Sequence, residues 1–123
     1  MTPKKVLLTV GTNKRNLELL AEFLGKGGYR TLSVTGLDEF DRTLEETQEI
    51  GLALVDISGF DVGIWERCAR LREKHIPLFI ISPKHSAAIQ QESVTHGARG
   101  VLVKPLVVRE LIGIVSKLIE DSE

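Results

Sequence analysis

The sequence predicts a doubly wound α/β domain built on a parallel sheet. Five short apolar runs alternate with five amphipathic stretches from one end of the chain to the other. Four of those runs are almost wholly apolar, as strands of a sheet covered on both faces must be. Every connection is long enough to hold a helix, which makes neighbouring strands parallel and their crossovers right-handed.

Val6-Leu7-Leu8-Thr9-Val10 reads as the first strand. Leu17, Leu20, Ala21 and Leu24 then recur at helical spacing, and Gly25-Lys26-Gly27-Gly28 closes that helix. Thr31-Leu32-Ser33-Val34 alternates apolar and polar residues, the pattern of an edge strand open on one face. Asp38 to about Glu49 is a charged helix with Phe40 and Leu44 turned inward. Leu52-Ala53-Leu54-Val55-Asp56-Ile57 is a continuous apolar strand carrying one charge. Ile64, Cys68 and Leu71 mark a third helix that stops before Pro77, and Leu78-Phe79-Ile80-Ile81 is a fourth strand. Residues 86–96 make a fourth helix closed by Gly97, with a thin apolar face of Ala87, Ile89 and Val94. Val101-Leu102-Val103 is the fifth strand. Val108, Leu111, Ile112, Val115, Leu118 and Ile119 space out a final helix over 107–119, and Glu120-Asp121-Ser122-Glu123 reads as a solvated tail.

The bulk properties fit this reading. A chain of 123 residues suits one domain, spanning 1–123, and is long enough to bury a core without disulfides or metal. The net charge of −1 and the scattered basic residues, with only short pairs such as Lys4-Lys5 and Lys14-Arg15, argue against direct nucleic-acid binding. Met1-Thr2-Pro3-Lys4-Lys5 precedes only five mainly apolar residues, too few for a signal-peptide core or a membrane span, so a soluble cytoplasmic protein is expected. Cys68 is the single cysteine and lies in an apolar-periodic segment, which makes it a buried structural thiol.

In a parallel α/β sheet, ligands bind in the crevice beyond the carboxyl ends of the strands. The strands deliver Gly11-Thr12-Asn13, Asp56-Ile57-Ser58, Ser82-Pro83 and Lys104-Pro105 to that edge. A carboxylate ending a buried apolar strand is costly unless paired, and Lys104 is the natural partner for Asp56. Ser82 adds a hydroxyl. Acid, cation and hydroxyl together suit acceptance of a phosphoryl group, with the carboxylate as nucleophile.

On these residues the chain resembles the receiver domains of two-component response regulators over essentially its whole length. The resemblance implies a flavodoxin-like (CheY-like) sheet of five strands in the order 2-1-3-4-5 with five helices. It implies Asp56 as phospho-acceptor, Ser82 as switch hydroxyl, Lys104 as phosphate-contacting lysine and a cis Lys104-Pro105 bond. It implies a non-enzymatic signalling module with a sensor histidine kinase, or another signalling protein, as partner. The expected partner and dimer face is the fourth helix (86–96), Val101 on the fifth strand, and the final helix.

The chain also departs from that family. Two adjacent acids after the first strand hold a magnesium ion there, and here the positions are Gly11 and Thr12. Magnesium relies on carboxylate oxygens, so Asp56 with the Ser58 backbone carbonyl and neutral neighbours makes the expected Mg2+ site doubtful. Asp61, in the loop after the third strand, is the one acid placed to compensate. An aliphatic Val101 replaces the family's aromatic switch residue, and Ser58-Gly59-Phe60-Asp61-Val62-Gly63 replaces its proline-containing loop. An atypical receiver is therefore expected, with weak or no magnesium-dependent phosphorylation and with Asp56 and Lys104 held as a pair. The alternatives are a phosphorylation-independent interaction module of the same fold and a small flavodoxin-like enzyme or cofactor carrier. The latter lacks a phosphate-binding glycine loop after the first strand.

The remaining polar residues have plainer roles. His75, His85 and His96 have no metal-ligand spacing, and His85 reads as a solvated loop residue near the same edge. Trp65 opens the third helix, either packed or half exposed, and Thr12-Asn13 caps the first helix.

Overall fold

In the computed structural model, residues 6–46 and 49–121 are described. Strands β1 (Val6–Val10), β2 (Arg30–Val34), β3 (Ile50–Asp56), β4 (Leu78–Ser82) and β5 (Gly100–Val103) alternate with helices. These are α1 (Lys14–Lys26), α2 (Leu37–Glu46), α3 (Gly63–Glu73), α4 (Ala87–Thr95) and α5 (Val108–Asp121). All strand pairs are parallel and the order is β2-β1-β3-β4-β5, as expected.

The period-two alternation of strands sorts the buried residues into two cores. Leu8 and Val10 of β1, Ala53 and Val55 of β3, and Leu78 and Ile80 of β4 join Phe40 and Leu44 of α2 and Ile64, Cys68 and Leu71 of α3. Leu7, Leu52, Leu54 and Ile81 face the other way, against Leu24 of α1 and Leu111 and Val115 of α5. Helices α1 and α5 thus cover one face and α2 to α4 the other. This is why the central strands are apolar at most consecutive positions. The edge position of β2 explains its half-polar composition, and Ser33 shares a hydrogen bond of 2.9 Å with the buried Thr9 hydroxyl.

Capping follows the local chemistry. Asn13 accepts the Asn16 amide at the start of α1, and Gly28 at φ +88° turns the chain after it. Ser86 caps α4 through the Ile89 amide.

Four expectations need correction. Helix α2 ends at Glu46, and Glu49 lies outside it, its carbonyl accepting the Val6 amide at 2.8 Å to lead into β3. Val94 of α4 is 60% exposed, while Ser93 is buried in its place, its hydroxyl donating to Ile89 O at 2.6 Å. A nine-residue helix packed through one serine and Ile89 has little apolar face to spend on the core. Val108 starts α5 but is largely exposed, so the inward face begins at Leu111. Glu120 and Asp121 continue α5 instead of forming a tail, since helical hydrogen bonding tolerates a charged last turn. Met1 to Lys5, including the Lys4-Lys5 pair, and Ser122-Glu123 lie outside the described residues.

Candidate functional site

In the order 2-1-3-4-5 the chain reverses its direction of winding between β1 and β3, and the crevice there is the expected ligand position. Asp56 is the last residue of β3 and lies on this crevice. Its Oδ1 accepts the Ser58 amide at 3.0 Å, an Asx-type turn that leads the chain off the strand. Its Oδ2 is 2.6 Å from Lys104 Nζ. The Asp56 side chain is 13% exposed and that of Lys104 31%, so the pair is shielded from water without being sealed.

Lys104 follows β5, and β4 lies between β5 and β3. Two strand spacings are roughly 10 Å, a gap that the long lysine stem closes together with the Asp56 side chain reaching toward it. The Lys104 amide is held by Ser82 O at 2.9 Å, and the Lys104-Pro105 bond is cis, as expected.

Ser82 ends β4 between the two charges and is fully buried. Its hydroxyl donates to Lys84 O at 2.7 Å, closing a local turn. The structure therefore joins Asp56 to Lys104 and places Ser82 beside them with its hydroxyl directed into its own loop.

Gly11 and Thr12 stand at the end of β1, facing the loop after β3. The Thr12 hydroxyl donates to Ser58 O at 2.8 Å, a bond between loops that does not cap α1. Only Asn13 caps that helix, which corrects the expectation for Thr12. Ser58 supplies its amide to Asp56 and its carbonyl to Thr12, while its buried hydroxyl has no partner among the described residues. Asp61 accepts the Gly63 amide at 2.8 Å, a local turn that leads into α3. Among the described residues there is no group of three or more His, Cys, Asp or Glu placed to hold a metal ion.

The other weighed residues take no part in the Asp56–Lys104 contact. His85 is exposed in the β4–α4 loop. Trp65 is partly buried and stacks on His96, ring centroids 5.6 Å apart at 25°, linking α3 to α4. Burial pushes the Cys68 thiol up to about 12. Asp41 of α2 takes a two-pronged contact from Arg67 (3.1 and 2.9 Å) and a third bond from Arg70 (3.0 Å). The Arg67 hydrogen bond holds its carboxyl below the usual range, against a smaller opposing effect of burial.

One feature was missed from the sequence. A cleft of about 270 Å³ runs between α1 and the start of α5, lined by Leu20, Phe23, Leu106 and Val108, and it reaches Asp56 and Lys104 at its inner end. Leu19 and Phe23, apolar residues on the outer side of α1, were the available signal. The α4–β5–α5 face, by comparison, carries the exposed Val94 and the partly buried Val101.

No protein-family model matches the chain, and no curated protein matches it. Solved structures do. A CheY-like response regulator receiver domain protein from Methanospirillum hungatei is similar with TM-score 0.86 and 20% identity, covering 97% of this chain and 96% of its own. A response regulator receiver protein from Pseudomonas putida matches with TM-score 0.84 and 21% identity over 95% and 99% of the two chains. A putative pilus assembly protein from Burkholderia thailandensis matches with TM-score 0.81 and 21% identity over 94% and 98%. With its strand order, its alternating helices and these neighbours, the chain has the CheY-like fold of response regulator receiver domains.

Proposed function

We propose that the chain is a cytoplasmic, non-enzymatic receiver domain in two-component phosphorelay signalling, of an atypical kind in which Asp56 holds the acceptor position but metal-assisted phosphoryl transfer is weak or absent. The observation that carries this is the engagement of Asp56: one carboxylate oxygen takes the Ser58 amide and the other takes Lys104. The fold neighbours named as response regulators support the signalling setting. No described helix is long and apolar enough to cross a membrane.

The donor set does not fit magnesium. A small hard dication needs several oxygens in near-octahedral array and takes its affinity from carboxylates. Here one carboxylate is already neutralised by an ammonium, the Ser58 carbonyl already accepts a hydroxyl hydrogen bond, and the Asp61 carboxylate already accepts the Gly63 amide. Without a dication, Lys104 is the cation paired with Asp56 among the described residues, and it would face an incoming anionic phosphoryl group as well. For Asp56 to attack phosphorus and break the bond to a histidine nitrogen, negative charge must gather where one positive charge is available. Partners in this reading are a sensor histidine kinase or another signalling protein, at the α4–β5–α5 face or the cleft beside α1.

A phosphorylation-independent interaction module is the second reading, and the same locked pair favours it. Incubation with a small phosphodonor and magnesium, followed by intact-mass measurement, separates the two. Little or no adduct is expected under conditions that label an ordinary receiver. An adduct on the wild type that is lost in Asp56→Ala would restore a conventional receiver.

A further inference from the structure

We infer that Thr12 performs the cross-linking that a bound dication performs at an acidic strand-end site, so that the geometry around Asp56 is fixed by protein groups and does not respond to divalent cations. The inference rests on the receiver reading of Asp56 and concerns how that site is held.

The two loops that meet at the reversal between β1 and β3 come from positions 46 residues apart, and the Thr12 hydroxyl joins them at 2.8 Å. The polarity of this bond matters. A carbonyl oxygen that would be drawn to a cation instead receives the positive end of an O–H dipole, which satisfies it without any charge.

Packing makes the contact specific. Gly59 has φ +83°, and a Cβ there would stand 2.6 Å from Thr12 Oγ1. The loop after β3 therefore lies directly on the threonine, at a backbone angle that glycine adopts freely. Gly11 is buried, and a Cβ on it would meet the Leu17 side chain at 3.3 Å and Asp56 Cβ at 3.6 Å. A side chain at position 11 would crowd the tip of Leu17 on α1, which would have to give by a few tenths of an ångström. Thr12 and Gly59 thus bring the two loops together through neutral groups.

The consequence is mechanical. Thr12 to Ser58 O, Ser58 amide to Asp56, and Asp56 to Lys104 form one chain of bonds from β1 through β3 to β5. Thr12 is a positioning residue within it, acting on Asp56 through Ser58.

Amide hydrogen exchange and thermal unfolding test this on wild type, Thr12→Val, Thr12→Ser and Ser58→Ala, each with and without millimolar MgCl2, with Mn2+ binding followed by electron paramagnetic resonance. The wild-type midpoint is expected to ignore magnesium, with no saturable Mn2+ binding. Thr12→Val keeps the side-chain shape and loses the donor. It should speed exchange at the Ser58 and Phe60 amides about fivefold. Thr12→Ser should return exchange to the wild-type rate, and Ser58→Ala, which leaves both backbone bonds intact, should not loosen the loop. A wild-type midpoint that rises with magnesium, saturable Mn2+ binding, or a Thr12→Val loop exchanging at the wild-type rate would each overturn the inference. If Thr12→Val does not fold, the magnesium and Mn2+ titrations of the wild type still decide it. A phosphoryl adduct at Asp56 bears on the proposed function alone and is read separately.

Discussion

Lys104 reaches across the end of β4 to place its ammonium 2.6 Å from the carboxylate of Asp56, joining the first strand beyond the reversal to the edge strand of the sheet. The pair is a tether as well as a charge contact, because the two strands it joins share no hydrogen bonds.

Removing one partner should therefore cost more than an exposed ion pair does. Lys104→Met leaves a mostly shielded carboxylate with only the Ser58 amide, and a loss of about 2 kcal/mol is expected, between the values for surface and fully buried pairs. Asp56→Asn, which keeps an acceptor for the Ser58 amide, should cost less. Urea unfolding of both variants checks the order. Equal losses would mean that the stranded carboxylate adds nothing beyond loss of the shared charge contact.

The Asp41 cluster sets an acid limit on stability. Its carboxyl titrates below the usual range because of the Arg67 hydrogen bond, so the bound proton is disfavoured in the folded state. A group of this sign contributes stability that is complete above its unfolded value, near pH 4, and disappears as the pH falls through the lower folded value. Asp41→Asn should lower stability by about 1 kcal/mol at neutral pH. The difference from wild type should shrink as the pH drops below about 4. Denaturant midpoints measured across that range test it, and a gap that persists unchanged in acid would show that charge is not its source.

Cys68 should be silent to thiol reagents in the folded protein. It is fully buried, and its thiol is pushed up to about 12, which leaves almost no thiolate at neutral or mildly alkaline pH. Labelling by a maleimide at pH 8 is expected only on unfolding, at a rate set by opening of the α3 side of the core. Fast labelling without denaturant would reveal a local opening of α3.

Much of the architecture was legible in the residues because burial on both faces leaves a plain signature. Leu7-Leu8 and Leu52-Ala53-Leu54-Val55 have to be apolar at consecutive positions, since alternate side chains enter different cores. Asp56 and Lys104 could be paired from the sequence because a charge at the end of such a strand needs a counter-charge at the same edge. Spacing alone points Val94 inward and gives no sign of Ser93, because a short helix with few core contacts has no strong period to read. The cleft beside Phe23 is formed by α1 and α5, which are far apart in the chain, so no local pattern announces it.

The order of apolar and polar residues along the chain was enough to specify five parallel strands, their helices and the acid–lysine edge, because each depends on a residue's own neighbours or on the cost of burying charge. Folding in three dimensions decided the rest. It directed the Ser82 hydroxyl into its own loop, the Thr12 hydroxyl onto Ser58 O, and Lys104 across β4 onto Asp56. A hydroxyl's partner is chosen by which carbonyl oxygen lies within about 3 Å of it. That distance is fixed only when strands distant in sequence take their places in the sheet.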